Sequence, residues 1–195
     1  MDETEQLQNL LLKRSVKTGS FTLASGAKSS YYVDARRTTM TAEGQALVGK
    51  VCYDYITEAG WRATHVGGLT LGADPIVYAI AHHSYASAGP SLDGLTVRKE
   101  AKGHGTGRQV EGGPPPGARV VLLEDIVTTG NSAFLAIEAL ENASMDVVGV
   151  LCLVDREEGG RARLEDYGLP FISVFTKTHL LQHKFLADGP INEVD

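Results

Sequence analysis

Thirteen consecutive residues, Val120-Val-Leu-Leu-Glu-Asp-Ile-Val-Thr-Thr-Gly-Asn-Ser132, bring together side chains suited to handling phosphate and sugar. An apolar strand delivers two adjacent carboxylates, Glu124 and Asp125, toward its C-terminal end. The turn that follows, Thr128 to Ser132, offers backbone N–H groups and three hydroxyls at the start of a helix. Unpaired amides and the helix dipole both favour negative charge there, so the turn can cradle a phosphate dianion. Carboxylates on the same rim bind phosphate poorly but accept hydrogen bonds from sugar hydroxyls well. Phosphate plus a ribose diol is the ligand this combination describes. A solvated acidic strand end before an ordinary capped helix is the inert alternative. No G-x-x-x-x-G-K-[ST] occurs, which argues against a P-loop nucleotidase.

A second group is basic. Between Leu95 and Arg119 lie five Lys/Arg residues (Arg98, Lys99, Lys102, Arg108, Arg119) and two acids, a net of +3 in a chain of net charge −6. Its central part, Lys99 to Gly117, has six glycines and three consecutive prolines, with almost nothing apolar to pack. A structureless loop of that length inside a small domain is a linker or a functional lid, and a basic lid expects an anionic ligand. Solubilising a loop is the bland role of such lysines. Arg156 directly follows an apolar run ending in Asp155, although a surface ion pair with Glu157 or Glu158 would explain it too. His179 and His183 have metal-compatible i, i+4 spacing but no evident third ligand. Gly67, Gly68 and Gly72 fail the G-x-G-x-x-G spacing and are read as letting the backbone approach a diphosphate.

The elements that must position these residues follow from apolar spacing. Leu7, Leu10 and Leu11 predict an amphipathic helix over Glu3 to Arg14. Thr41 as N-cap, a 3.6-residue period through Leu47, Val48, Val51, Tyr55 and Ile56, and a stop at Gly60 predict a second. Continuous apolar runs at His65 to Gly68, Val120 to Leu123 and Val147 to Val154 suit strands buried on both faces of a parallel sheet. Helices are expected between them, over Pro75 to Ser84 with Asp74 as N-cap, and over Ser132 to Asn142. The alternation predicts an α/β fold with an open, mostly parallel sheet flanked by helices.

Composition narrows the class. At 195 residues with 43% hydrophobic and 22% charged side chains, the chain reads as one globular domain that needs no disulfide or metal staple. The acidic balance disfavours general nucleic-acid binding. Cys52 and Cys152 stand a hundred residues apart, which offers no metal knuckle, redox pair or secreted framework, and points to a reducing cytoplasm. The acidic N-terminus does not resemble a signal peptide, and no apolar stretch reaches membrane-spanning length.

The thirteen-residue segment resembles the phosphoribosyl diphosphate signature of type I phosphoribosyltransferases. Three further segments are similar to the orotate phosphoribosyltransferase family. Phe21-Thr-Leu-Ala-Ser-Gly-Ala-Lys-Ser-Ser-Tyr-Tyr32 resembles its N-terminal hood, Arg98-Lys-Glu-Ala-Lys-Gly-His-Gly105 its catalytic loop, and Val154-Asp-Arg-Glu-Glu-Gly-Gly160 its orotate-side strand end. Together with Gly67-Gly-Leu-Thr-Leu-Gly-Ala-Asp-Pro75 they span most of the chain. The resemblance implies the type I phosphoribosyltransferase fold over 1–195, with helix and hood at 1–40 and a mobile catalytic loop at 99–117.

It further implies transfer of the ribose 5-phosphate group from phosphoribosyl diphosphate to orotate, giving orotidine 5-phosphate and diphosphate in pyrimidine biosynthesis. Glu124 and Asp125 would hold the ribose hydroxyls, Asp125 counting among the catalytic groups. Thr128, Thr129, Gly130, Asn131 and Ser132 would wrap the 5-phosphate, and Ile126 and Val127 belong to the same phosphoribosyl diphosphate-binding stretch. Arg98, Lys99, Lys102 and His104 would meet the diphosphate, with Arg98, Lys102 and His104 acting in catalysis. Arg156 and Thr128 would contact orotate. Mg²⁺, held mainly through substrate and water, is the implied cofactor, and a homodimer with shared sites the implied assembly, without nucleic acid or membrane. Ala24 stands where some members carry a lysine, leaving Lys28 as a possible substitute; Tyr31, Tyr32 and Trp61 are core or hood aromatics. A phosphoribosyl diphosphate-sensing regulator would need a basic surface or an added winged helix, which the N-terminal 60 residues lack. A sister enzyme for a purine or uracil is disfavoured by the loop and by Arg156.

Overall fold

The computed structural model describes residues 1–22, 28–100 and 109–188. Helix α1 (Glu3–Arg14) opens with a reciprocal capping box between Asp2 and Glu5 and buries Leu7 and Leu11. Strands β1 (Val16–Thr22) and β2 (Lys28–Val33) form a separate antiparallel pair with an irregularity between Thr18 and Phe21. After the short α2 (Arg36–Thr39), Thr41 caps α3 (Ala42–Ala59) by accepting from the Gly44 amide, and left-handed Gly60 ends it. The chain continues through β3 (His65–Leu69), α4 (Asp74–Ala86), β4 (Asp93–Val97), β5 (Val110–Glu111), β6 (Arg119–Val127) and α5 (Asn131–Asn142). Last come β7 (Asp146–Asp155), α6 (Gly160–Asp166), β8 (Phe171–Thr176) and α7 (Lys177–Asp188).

The main sheet has the order β5-β4-β3-β6-β7-β8, parallel except for β5 at its edge. Strand order reverses between β3 and β6, the place where open α/β sheets form ligand crevices. Along β6, Val121 and Leu123 join the core made with α1, α3 and α4, while Val120 and Leu122 join the core under α5. All four are fully buried. At roughly 1.5–3 kcal/mol each, their burial offsets the desolvation of the carboxyl that follows at Glu124.

Three sequence expectations need correction. Asp74 is not the N-cap of α4: Ala73 holds that position without a side-chain bond, and Asp74 lies inside the helix. Gly67 and Gly68 are packing glycines within the sheet, because a Cβ would meet Leu95 Cδ1 at 2.1 Å on the first and the Leu123 carbonyl at 2.2 Å on the second. The stretch after Lys99 does pack at one point, since Val110 is buried and Val110–Glu111 pairs with Thr96 and Val97. Helix α2, strands β1, β2, β4 and β8, and helices α6 and α7 went unpredicted. Among the described residues, no helix is long and apolar enough to cross a membrane, and both cysteines are buried and free.

Candidate active site

Two hollows meet at the C-terminal ends of β3 and β6. The larger, about 320 Å³, is walled by Thr70, Leu71 and Gly72 after β3, by Glu124, Asp125 and Ile126 on β6, by Tyr32 on β2, and by Asp34 and Arg36 after it; Lys99 and Ser132 complete its rim. The smaller, about 210 Å³, is formed by Glu124 and residues 126–133. Glu124 borders both, so one strand residue joins them.

The turn at 128–132 has the architecture of an anion cradle. Gly130 adopts φ +81, where glycine escapes the Cβ penalty, and serves as N-cap of α5 without any side-chain cap. The first amides of α5 therefore lack a side-chain acceptor at the cap. Gly160 N–H donates to the Thr128 carbonyl at 2.9 Å, fixing the turn to the start of α6. Val127 is buried, and its carbonyl accepts from Arg156 N–H at 2.9 Å.

The carboxylates sit in unlike surroundings. Glu124 is buried, its Oε1 has no hydrogen-bond partner, and burial, followed by the charge of Asp125, pushes its pKa up to about 8. Burial raises Asp125 as well, opposed by the Ile126 N–H at 2.9 Å and the positive charge of Arg36. Arg36 is held by Asp34 at 3.1 Å. On the opposite wall, Asp74 accepts from Thr70 Oγ1 at 2.7 Å and Thr96 Oγ1 at 3.0 Å, tying the 70–72 turn to β4.

Of the residues expected from sequence, Glu124, Asp125, the 126–132 stretch and Lys99 come together here. Arg98 borders a neighbouring hollow with Lys99 and lies 3.4 Å from Glu111. Arg156 is not among the residues lining either of the two hollows. Its Nη2 lies 2.8 Å from Glu158, and its guanidinium sits 5.4 Å from the Tyr31 ring centre. Lys102, His104 and Ala24 fall outside the described residues. Lys28 is exposed and donates to Thr22 Oγ1 at 3.0 Å. The rings of His179 and His183 meet edge-on at 4.6 Å, and the described residues contain no group of three or more His, Cys, Asp or Glu placed to hold a metal. Sequence reading missed Asp34, Arg36 and Thr70; the dense charges of Asp34-Ala-Arg-Arg37 directly after the hood segment were the available signal for the first two.

Residues 41–179 match the phosphoribosyl transferase domain family. The orotate phosphoribosyltransferase of Aquifex aeolicus is 47% identical over 184 residues, covering 93% of this chain and 99% of that protein. The chain belongs to the orotate phosphoribosyltransferase family. A crystal structure of the family's Mycobacterium tuberculosis member with Fe(III) dicitrate superposes with a TM-score of 0.81 at 41% identity, covering 92% of this chain and 99% of the other. The same bacterial protein with 5-phospho-alpha-D-ribosyl 1-diphosphate gives 0.76 at 37% identity, with the same coverage. The six-stranded sheet is thus the type I phosphoribosyltransferase fold of an orotate phosphoribosyltransferase, with the β1–β2 hairpin beside it.

Proposed function

We propose that the enzyme moves the ribose 5-phosphate group from phosphoribosyl diphosphate to N1 of orotate, the orotidine 5-phosphate-forming step of pyrimidine biosynthesis, with the site residues acting as follows. The 5-phosphate occupies the smaller hollow, on the amides and hydroxyls of Thr128 to Ser132. The ribose hydroxyls face Glu124 and Asp125. The unpartnered Oε1 of Glu124, beside the phosphate cradle, is the observation that carries this reading, because a buried carboxyl oxygen without a donor is satisfied when a sugar hydroxyl arrives.

In the reaction the C1–O bond to diphosphate breaks, its electron pair leaving with the diphosphate. A bond from N1 to C1 forms, and the N1 proton of orotate is released to solvent. The sugar passes through an oxocarbenium-like state, so the protein supplies positioning and charge rather than a nucleophile. The leaving diphosphate lies along the 70–72 turn, toward Lys99 and Arg98, with Lys102 stabilising it and His104 donating to it. Arg156, with Thr128, takes the orotate carboxylate. Closure of the part of the 99–117 segment that precedes β5 would exclude water from the activated sugar.

Mg²⁺ fits these residues as a substrate-held ion. The ion would be held mainly by substrate oxygens and water, beside the carboxyl groups of Glu124 and Asp125 that line the larger hollow. When bound, the ion would neutralise diphosphate charge. We further propose a cytoplasmic homodimer in which the Arg98 to His104 segment serves the neighbouring subunit's site. The test is direct: orotate, phosphoribosyl diphosphate and Mg²⁺ are combined with the enzyme, and the loss of orotate absorbance is followed. No loss with orotate, or equal turnover with uracil or a purine, would overturn the assignment.

A further inference from the structure

We infer that Arg163, on α6 and outside the hollow, is a positioning residue that sets the direction of the phosphate-binding amides. The inference rests on the 5-phosphate occupying the 128–132 turn. Arg163 Nη1 donates to the Thr129 carbonyl and, at 2.9 Å, to Asn131 Oδ1. Gly160, three residues earlier, donates its N–H to the Thr128 carbonyl at 2.9 Å. One short helix therefore grips two consecutive carbonyls of the turn and the side chain next to them.

The consequence follows from peptide geometry. In a planar trans peptide the C=O and the following N–H point in opposite directions. Drawing the Thr128 and Thr129 carbonyls toward α6 turns the Thr129 and Gly130 amides away from it, into the cradle. Arg163 is itself held in place. Its guanidinium carbon lies 4.9 Å from the Phe134 ring centre, Phe134 meets Tyr167 edge-on at 5.5 Å, and the Tyr167 hydroxyl donates to Glu141 at 3.0 Å. Both hydrogen bonds leave the one nitrogen Nη1 while the guanidinium plane rests against the Phe134 ring; an ammonium can donate twice but has no planar face to stack.

Two variants separate this role from plain structural support. Arg163→Met keeps an unbranched apolar side chain beside Phe134 and removes the donors, while Arg163→Lys keeps the charge and loses the planar face. Arg163→Met is expected to raise KM for phosphoribosyl diphosphate and Kd for ribose 5-phosphate about tenfold, equivalent to about 1.4 kcal/mol. KM for orotate and kcat should stay within about twofold, and Arg163→Lys should fall between Met and wild type. If Arg163→Met folds poorly, Arg163→Gln is measured in the same way, with the same expectation. Unchanged ribose 5-phosphate binding, or equal losses for both substrates together with a lower Tm, would overturn the inference. Failure of the wild-type enzyme to bind ribose 5-phosphate would instead remove the reading of the turn on which it rests.

Discussion

Gly72 and Asp125 fill one another's space: a Cβ on Gly72 would lie 2.5 Å from Asp125 Oδ1. The turn after β3 and the carboxylate on β6 are therefore in contact across the line where the sheet reverses its winding. Gly72→Ala must push Asp125 aside. Turnover is expected to fall at least tenfold and KM for phosphoribosyl diphosphate to rise, while stability drops by about 1–3 kcal/mol, the usual range for overpacking. Steady-state kinetics and thermal unfolding check this, and unchanged kinetics would mean that Asp125 does not work from its observed position.

Glu124 gives a pH signature. Its pKa is about 8 in the folded enzyme, against an ordinary 4.5, with burial as the main cause. The folded state keeps a proton that the unfolded chain has released, so this group's contribution to stability is complete below about pH 4.5 and is lost as pH rises through about 8. Glu124→Gln, which cannot ionise, should gain stability over wild type across that window, by an amount on the order of a few kcal/mol at its upper end. A flat difference between the two proteins from acid to alkaline pH would contradict the buried, protonated state.

The same group links protonation to substrate. A ribose that prefers the Glu124 carboxylate expels its proton, so binding of phosphoribosyl diphosphate near neutral pH should release up to one proton. Calorimetry in buffers of different ionisation enthalpy reads this directly. Buffer-independent heats would separate Glu124 from the ribose.

Arg156→Ala should raise KM for orotate far more than KM for phosphoribosyl diphosphate, because the group proposed to read the orotate carboxylate is gone. Tyr31→Phe, which removes only the hydroxyl 3.4 Å from Arg156 Nε, should reproduce a small part of that effect. Equal changes for both substrates would take Arg156 out of the specificity role.

Lys102→Ala alone should cost about a hundredfold in turnover, as does removing one contact to a developing anion elsewhere. Mixing Lys102→Ala with Asp125→Asn subunits tests site sharing: a heterodimer regains one intact site if the loop crosses to its partner, and none if it acts within its own chain. Activity measured after reversible dissociation and remixing decides between the two.

What could be read before the structure was what lies contiguous in the chain. Val120 to Leu123 announced a strand because all four positions are buried, and Glu124 to Ser132 follow it directly, so the acid pair and the phosphate turn were legible as a unit. Thr41 and Gly60 marked α3 because capping is local chemistry. The hairpin was opaque, since β1 alternates poorly and carries an irregularity at Thr18/Phe21. Strand β5 has only two residues, and its pairing with β4 comes from the fold rather than from any local pattern. Arg36, Thr70 and Arg163 reach the site only through tertiary packing, and no spacing rule connects them to residues 124–132. Asp74 looked like a helix cap because caps and turn anchors use the same side chain; its two threonine partners show the second use.

The pairing of β3 with β6, His65 beside Val120 and Gly67 beside Leu122, joins segments more than fifty residues apart in the chain. Both walls of the larger hollow hang from that one ladder. A chain that has not yet closed it has no place for a substrate, so any ligand needing both walls binds only the native state. Substrate then acts as a fastener applied after folding. At a hundred times its Kd it adds about 2.7 kcal/mol to the unfolding free energy without changing a single contact of the sheet.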